Sequence, residues 1–413
     1  MKKQGIVLAF LCTLLLATEL HAQAYRNQLE PFPALMTLIR GQKFDVILPQ
    51  VMRDNKISMW IHVKRGENLL DFELGDGDGV YVFTDRDGDR VERVILGGTG
   101  DREIYDAFGS ESSLGSFVSE RDPARIALNY ADEESGYNTI SAEDRSKVLK
   151  ALGTKYSERV VSANVLTAEY LANRGMAEVS LMGRLLMTST ASIEAEFAKI
   201  KPGVTKLSDI EGNVFLRDPD GNEENNTDYV VQPGNLIGIL DGAAMLTFKE
   251  HNGGIGYVLR EGETNLPPEV QEIWKHALIL RDMFRRNIVA GKTGAENLAV
   301  LVEKLEEAGY HYIEQDEYDK SADPDKTQVN IDFHGIGRIV NQEEAPRISP
   351  TGWGRDLKIP LYHTFSLEYM IHMPVPEWGP GKHLYICLHD GAIITERGVE
   401  LPARPAQEIH IIR

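Results

Sequence analysis

The chain has 413 residues, of which 42% are hydrophobic and 26% charged. That is ordinary globular composition, long enough for two domains, and it excludes global disorder. With 63 acidic against 44 basic residues the net charge is −19, so a general attraction to phosphate backbones or anionic lipid is excluded as the basis of function.

The first 24 residues read as a secretory leader. Lys2 and Lys3 form the positive end, Ile6 to Ala17 the apolar run, and Ala22 and Ala24 the small residues of a cleavage site. The run is too short for a comfortable membrane span, so no membrane association is expected after cleavage. The expected compartment is secreted or periplasmic. Cys12 would leave with the leader, and Cys387 would then be the single cysteine of the mature chain. No intramolecular disulfide is expected, and a chain of this size does not need one.

Residues 25–165 read as a smaller α/β domain. Val46–Met52 is expected to be helical and Met59–Val63 a strand. Gly79–Phe83 and Val91–Leu96 form a predicted hairpin across Thr84–Asp89. That acidic turn resembles a calcium loop superficially, but Arg90 stands where the loop glycine belongs, so a polar turn is the better reading. Arg125–Asn129 is a further strand, followed by a helix near Ala142–Leu152.

Residues 166–413 have a different texture. A long helical pattern covers Glu178–Ile200 and stops at Lys201-Pro202-Gly203. Asp218–Asn226 is a solvated loop. Short strands are expected at Leu236–Asp241, Ala244–Phe248 and Gly256–Arg260. Helices follow at Pro268–Asn287 and Gly294–Ala308. The tail is strand-rich, with Ser366–Met373, His383–Leu388 and Ala392–Thr395. Gly291-Lys292-Thr293-Gly294 lacks the upstream glycine and strand of a phosphate loop and reads as a turn between helices.

Histidine is unevenly distributed: nine of the eleven lie after residue 250. Imidazole is the commonest metal ligand and titrates near neutrality, so the tail is where a site is expected. His276, within an amphipathic helix, and His410, near the terminus, are read as structural. Strand alternation narrows the rest. In Ser366–Met373 one face carries Ser366, Glu368, Met370 and His372. In His383–His389 one face carries His383, Tyr385, Cys387 and His389, and the other is apolar. Glu368 and His389 can therefore project onto a common polar face. His334 stands in Phe333-His334-Gly335-Ile336-Gly337, where glycines allow a close backbone approach. Cys387 shares the face of His389 but is read as a small core residue. Trp353 and Trp378, in Gly/Pro-rich loops, are candidates for a pocket wall.

These pieces, in order, resemble the creatinase, prolidase and aminopeptidase P superfamily. The matching segments are Gln232-Pro233-Gly234-Asn235-Leu236, Tyr257 to Glu263, His334-Gly335-Ile336-Gly337, Ser366-Leu367-Glu368 followed by Pro374 to Gly379, and Thr395 to Leu401. The resemblance covers most of the chain. It implies an α+β protein with a C-terminal pita-bread domain and a smaller N-terminal creatinase-like domain. Dimers are common in the family, which leaves a homodimer open. The family's peptidases bind two divalent metals through two Asp about eleven residues apart, one His and two Glu, and use them to activate the attacking water.

Carried over by position, the pattern departs sharply. The first Asp position falls on Leu240, with Asp241 adjacent but on the opposite face of the strand. The second falls on His251. The His is kept as His334 and the first Glu as Glu368. The last Glu falls on His389. The resemblance thus implies a Xaa-Pro aminopeptidase-like metallohydrolase acting on a small molecule or short peptide. Its single divalent transition metal (Zn, Mn or Fe) would be held by His251, His334, Glu368 and His389, with His334 and Glu368 catalytic. The alternatives are a metal-free, creatinase-like amidinohydrolase with a histidine acid/base, or a binding relative without chemistry.

Overall fold

The computed structural model describes residues 31–75, 77–130, 140–218, 221–338 and 345–413. The leader at 1–24 lies outside the described residues.

The first sheet has six strands: β1 (Met59–Lys64), β2 (Gly79–Thr84), β3 (Glu92–Leu96), β4 (Ala107–Gly109), β5 (Ile126–Leu128) and β6 (Val160–Ser162). Their order is β4-β3-β2-β1-β5-β6. β1 pairs antiparallel with β2 and parallel with β5. Helices cover both faces, which is why β1 is buried at every position. Trp60, Tyr81 and Phe83 pack against Phe44, Leu48 and Met52 on one side. Ile61, Val63 and Val82 pack against Val118, Val148 and Leu152 on the other. In the β2–β3 turn the partner of Asp85 is a cation: Arg53 Nε and Nη2 donate to its two oxygens at 2.8 and 2.9 Å.

The C-terminal half holds two further sheets. One runs β19-β12-β9-β7-β8, from β7 (Asn213–Arg217), β8 (Glu223–Glu224), β9 (Leu236–Asp241), β12 (Asn252–Val258) and β19 (His410–Ile412). A two-stranded hairpin of β10 (Ala244–Met245) and β11 (Phe248–Lys249) sits between β9 and β12 in the chain. The other sheet runs β13-β14-β16-β17-β18, with β15 (His334–Gly335) also paired to β16. Its strands are β13 (His311–Tyr312), β14 (Gln328–Ile331), β16 (Thr364–Pro374), β17 (His383–Thr395) and β18 (Gly398–Glu400). The helix Met176–Lys199 lies on the first of these sheets, its Ile193 and Phe197 packed with Ile237, Ile239 and Val258. The helices Pro268–Asn287 and Gly294–Glu307 cover the second through Leu280, Phe284 and Leu301 against Leu367, Tyr369 and Ile386.

Four predicted strands change form. Ala244–Phe248 is a hairpin, because the chain reverses at Leu246 and Thr247 with φ of +58° and +130°. The strand expected at Gly256–Arg260 starts earlier, at Asn252, and ends at Val258. The glycines that disguise it are required by packing: a Cβ at Gly254 would stand 2.7 Å from Ile193 Cγ2, and one at Gly256 2.6 Å from Phe197 Cε1. His383–Leu388 and Ala392–Thr395 are one 13-residue strand. The polar His389-Asp390-Gly391 between them stays in register with Glu368-Leu367-Ser366.

A buried charge network ties the two halves together. Arg338 donates through Nε and Nη2 to both oxygens of Glu73, each at 3.0 Å. Arg174 donates to the carbonyls of Ile336 and Arg338, both at 3.0 Å.

Candidate metal centre

The centre is built on the long β16–β17 ladder, where Glu368 pairs directly with His389 and Met370 with Cys387. Alternation sends Leu367, Tyr369, Leu384, Ile386 and Leu388 into the core under the helices. That leaves Glu368, Met370, His372, His383, Tyr385, Cys387 and His389 on the other face. The sheet containing β9 and β12 lies over this face. The strands come close at Gly253, where a Cβ would sit 3.2 Å from His389 Cβ. His251 immediately precedes β12, and His334 opens β15, held opposite Ser366.

The four residues expected from sequence line one cleft, and of these Glu368 and His389 join Cys387 in a group whose donor atoms all lie within 4.8 Å of one another. His334 Nε2 lies 3.0 Å from Glu368 Oε2, and His389 Nε2 3.6 Å from Glu368 Oε1. The His251 ring stands 5.0 Å from that of His334 and 5.7 Å from that of His389, between centroids. His334 Nδ1 faces the Gly335 carbonyl at 3.4 Å. With the proton on Nδ1, Nε2 turns a lone pair toward the centre.

Burial sets the charge state. It pushes the His251 imidazole down to about 3, helped by the neighbouring His334 and His389 rings. Burial likewise lowers His389 against the opposing charge of Glu368. The Glu368 carboxyl is raised by burial, but the His334 hydrogen bond and the charges of His389 and His334 outweigh this and bring it below its ordinary value. Near neutrality His251 and His389 are therefore uncharged and Glu368 ionised, the states a cation requires of its ligands.

This donor set does not suit a pair of ions. Leu240 has no lone pair, and two positions carry neutral imidazoles that cannot bridge. Glu368 alone of the four carries a carboxylate. For one ion of the Zn, Mn or Fe class, three imidazoles and a carboxylate are an adequate set.

Several neighbours escape a sequence reading. Cys387 is half-buried toward the cleft rather than a core residue. Its Sγ lies 3.3 Å from His389 Nε2 and 4.0 Å from Glu368 Oε1. Burial pushes its thiol up, so without a cation it stays protonated. Further along the face, Asp316 accepts from Tyr385 OH at 2.6 Å and faces His372 Nε2 at 2.8 Å. Tyr318 stacks on His383 at 4.1 Å. Asp316 and Tyr318 come from the loop after β13, which carries no strand or helix periodicity to place them. Phe215 and Arg217 of β7 close a small cavity over Tyr385 and Cys387.

The remaining candidates lie elsewhere. His276 Nδ1 pairs with Tyr310 OH at 2.9 Å, and His410 stacks on Phe197 at 4.6 Å. Trp353 lines a separate groove of about 1180 Å³ with Val51, Glu169 and Lys358. Trp378 packs against Gly221.

Two facing β-sheets with helices on their outer sides, and a polar strip enclosed between them, define the pita-bread fold. Solved structures share it. An Xaa-Pro dipeptidase from Bacillus anthracis is 15% identical with a TM-score of 0.55, over 88% of this chain and 98% of that one. An X-Pro aminopeptidase from Thermotoga maritima MSB8 is 17% identical with a TM-score of 0.57, over 88% and 100%. The dipeptidase PepE from Mycobacterium ulcerans is 15% identical with a TM-score of 0.55, over 91% and 98%. The architecture is therefore the fold these structures share, α+β with an N-terminal domain before the pita-bread half. No family model matches the sequence, and no curated protein sequence is significantly similar to it.

Proposed function

We propose that this protein is an exported Xaa-Pro aminopeptidase-like metallohydrolase. It holds one divalent transition metal (Zn, Mn or Fe) through His251, His334, Glu368 and His389, and acts on a short peptide or similar small amide. The observation that carries this reading is that two histidines from separate places in the chain, His334 and His389, lie within 4 Å of the Glu368 carboxylate, with the His251 ring beside both. The fold is also that of proteins named as Xaa-Pro dipeptidase and X-Pro aminopeptidase.

A bound ion of this class polarises a scissile carbonyl and acidifies water beside it. The protein's own groups supply the proton handling. Glu368, ionised, accepts a proton from the attacking water at Oε2. The same carboxylate would return that proton to the departing amine, while His334, 3.0 Å from Oε2, would hold the ion through Nε2. Leu240, the cross-strand partner of Gly253, offers no lone pair to a second cation.

Elemental analysis of protein purified under metal-replete conditions tests this. The expected result is about one metal atom per chain, lost or strongly reduced in His251→Ala. Folded wild-type protein without metal would overturn the reading. The preformed His334–Glu368 hydrogen bond would then favour metal-free acid/base chemistry of the creatinase kind, which creatine turnover without added metal would reveal. Failure of that assay as well would leave a binding protein.

A further inference from the structure

The geometry points to Cys387 as a thiolate ligand of this centre, which makes it a site for a thiophilic ion such as Zn²⁺, Fe²⁺ or Co²⁺ rather than Mn²⁺ or Mg²⁺. The inference rests on the single-ion reading above and goes beyond it in ligand and in metal class.

Three donors of different kinds meet on the β16–β17 face. Cys387 Sγ and His389 Nε2 are 3.3 Å apart, Glu368 Oε1 and His389 Nε2 3.6 Å, and Cys387 Sγ and Glu368 Oε1 4.0 Å. A tetrahedral ion with bonds of about 2.0–2.3 Å sets its donors about 3.3–3.8 Å apart. The triangle is thus close to one face of such a tetrahedron. Hydrogen bonding alone explains it less well. Cys387 is a single weak donor, and it faces both a ring nitrogen and a carboxylate oxygen.

Burial supports the same conclusion independently. The His389 side chain is 7% exposed, and its Nε2 is aimed at the thiol and the carboxylate. His334 Nε2 sits on the far oxygen of Glu368 at 3.0 Å, outside the Glu368–Cys387–His389 group whose donor atoms all lie within 4.8 Å of one another. The backbone enforces the grouping. Glu368 and His389 are a cross-strand pair, and Cys387, two residues before His389, shares its face.

Binding replaces the S–H bond by a sulfur–metal bond and releases the thiol proton to solvent, so charge balances: two positive charges enter and one leaves as a proton. A soft thiolate biases the site toward metals that favour sulfur, which a His/carboxylate set alone does not do. The same coordination removes Cys387 as a free nucleophile.

The test uses the full mature chain, stripped of metal and titrated with Co²⁺. The expected spectrum has a near-ultraviolet sulfur-to-cobalt charge-transfer band that saturates at one equivalent, and Cys387→Ser lacks it. Loss of an outer partner of a ligand typically costs about 10–100-fold in affinity, so loss of the thiolate is expected to weaken Zn²⁺ binding by at least that much. Should Cys387→Ser misfold, alkylation of the wild-type thiol decides: Zn²⁺ should slow it about tenfold or more, and Mn²⁺ should not. Cobalt bound without the band, or alkylation unaffected by Zn²⁺, overturns the thiolate and leaves the single-ion reading standing. Folded protein that takes up no cobalt overturns both.

Discussion

Glu368 and His389 face each other across the β16–β17 ladder, and the histidine Nε2 stands 3.6 Å from the carboxylate. Each anchors one end of the donor group, with His334 on the far oxygen of Glu368 and Cys387 beside the His389 ring. A neutral imidazole at position 389 offers one lone pair and cannot bridge two ions.

Ordinary two-metal Xaa-Pro cleavage should therefore be weak or absent. Two-metal catalysis needs ions about 3.5–4 Å apart with bridging carboxylates between them. The triple substitution Leu240→Asp, His251→Asp and His389→Glu should raise manganese- or cobalt-dependent hydrolysis of a proline dipeptide above wild type. Assays at equal metal, with metal content measured on both proteins, check this. Strong wild-type cleavage with two bound ions would show that the first two ligands have been placed wrongly.

Removal of the leader is a second expectation. Intact mass of the protein from the exporting cell should correspond to a start at Gln23 or Tyr25. A mature mass that includes Met1 would refute export by cleavage.

The Arg338–Glu73 pair should matter to stability far more than a surface ion pair. Both side chains are buried, and their two bonds join the N-terminal helix Asp71–Leu74 to the segment just after His334. Arg338→Ala leaves the Glu73 carboxylate buried and unpaired, which typically costs about 3–5 kcal/mol. Urea unfolding should show a midpoint shift of that size, whereas Arg286→Ala, which breaks the exposed pair with Asp282, should change stability by less than about 1 kcal/mol. Equal effects would mean that the domain contact carries little energy.

Acid should destabilise the N-terminal sheet through His62. Burial pushes this imidazole down to about 4, so the folded state favours the neutral ring. Its contribution is complete above the unfolded value near 6.5 and is lost as pH falls toward 4, because the unfolded chain then binds a proton that the folded chain resists. The full shift corresponds to about 3 kcal/mol. His62→Gln should flatten the dependence of unfolding free energy on pH between 7 and 4. An unchanged slope would assign the acid sensitivity to other groups.

Strand alternation and position carried much of this centre without coordinates. A sequence of alternating polar and apolar residues in Ser366–Met373 and His383–His389 is enough to put Glu368 and His389 on one face, because side chains in a strand repeat every two residues. Helix boundaries such as Pro268–Asn287 were legible for a similar local reason, since Pro at the first turn and a 3.6-residue apolar stripe are both written in neighbouring residues. The glycine-rich strand Asn252–Val258 was only half legible. The sequence predicts a strand only from Gly256, and the glycines before it make sense once the helix carrying Ile193 and Phe197 is seen lying against them. Tertiary structure alone decided that Cys387 faces a histidine and a carboxylate rather than the core. The same holds for Asp316, delivered from an irregular loop to His372 and Tyr385, and for Arg338, which finds Glu73 265 residues away. Local pattern determines which way a residue points within its own element. Which elements meet is settled by packing across the whole chain, and the contacts that define this centre are of that second kind.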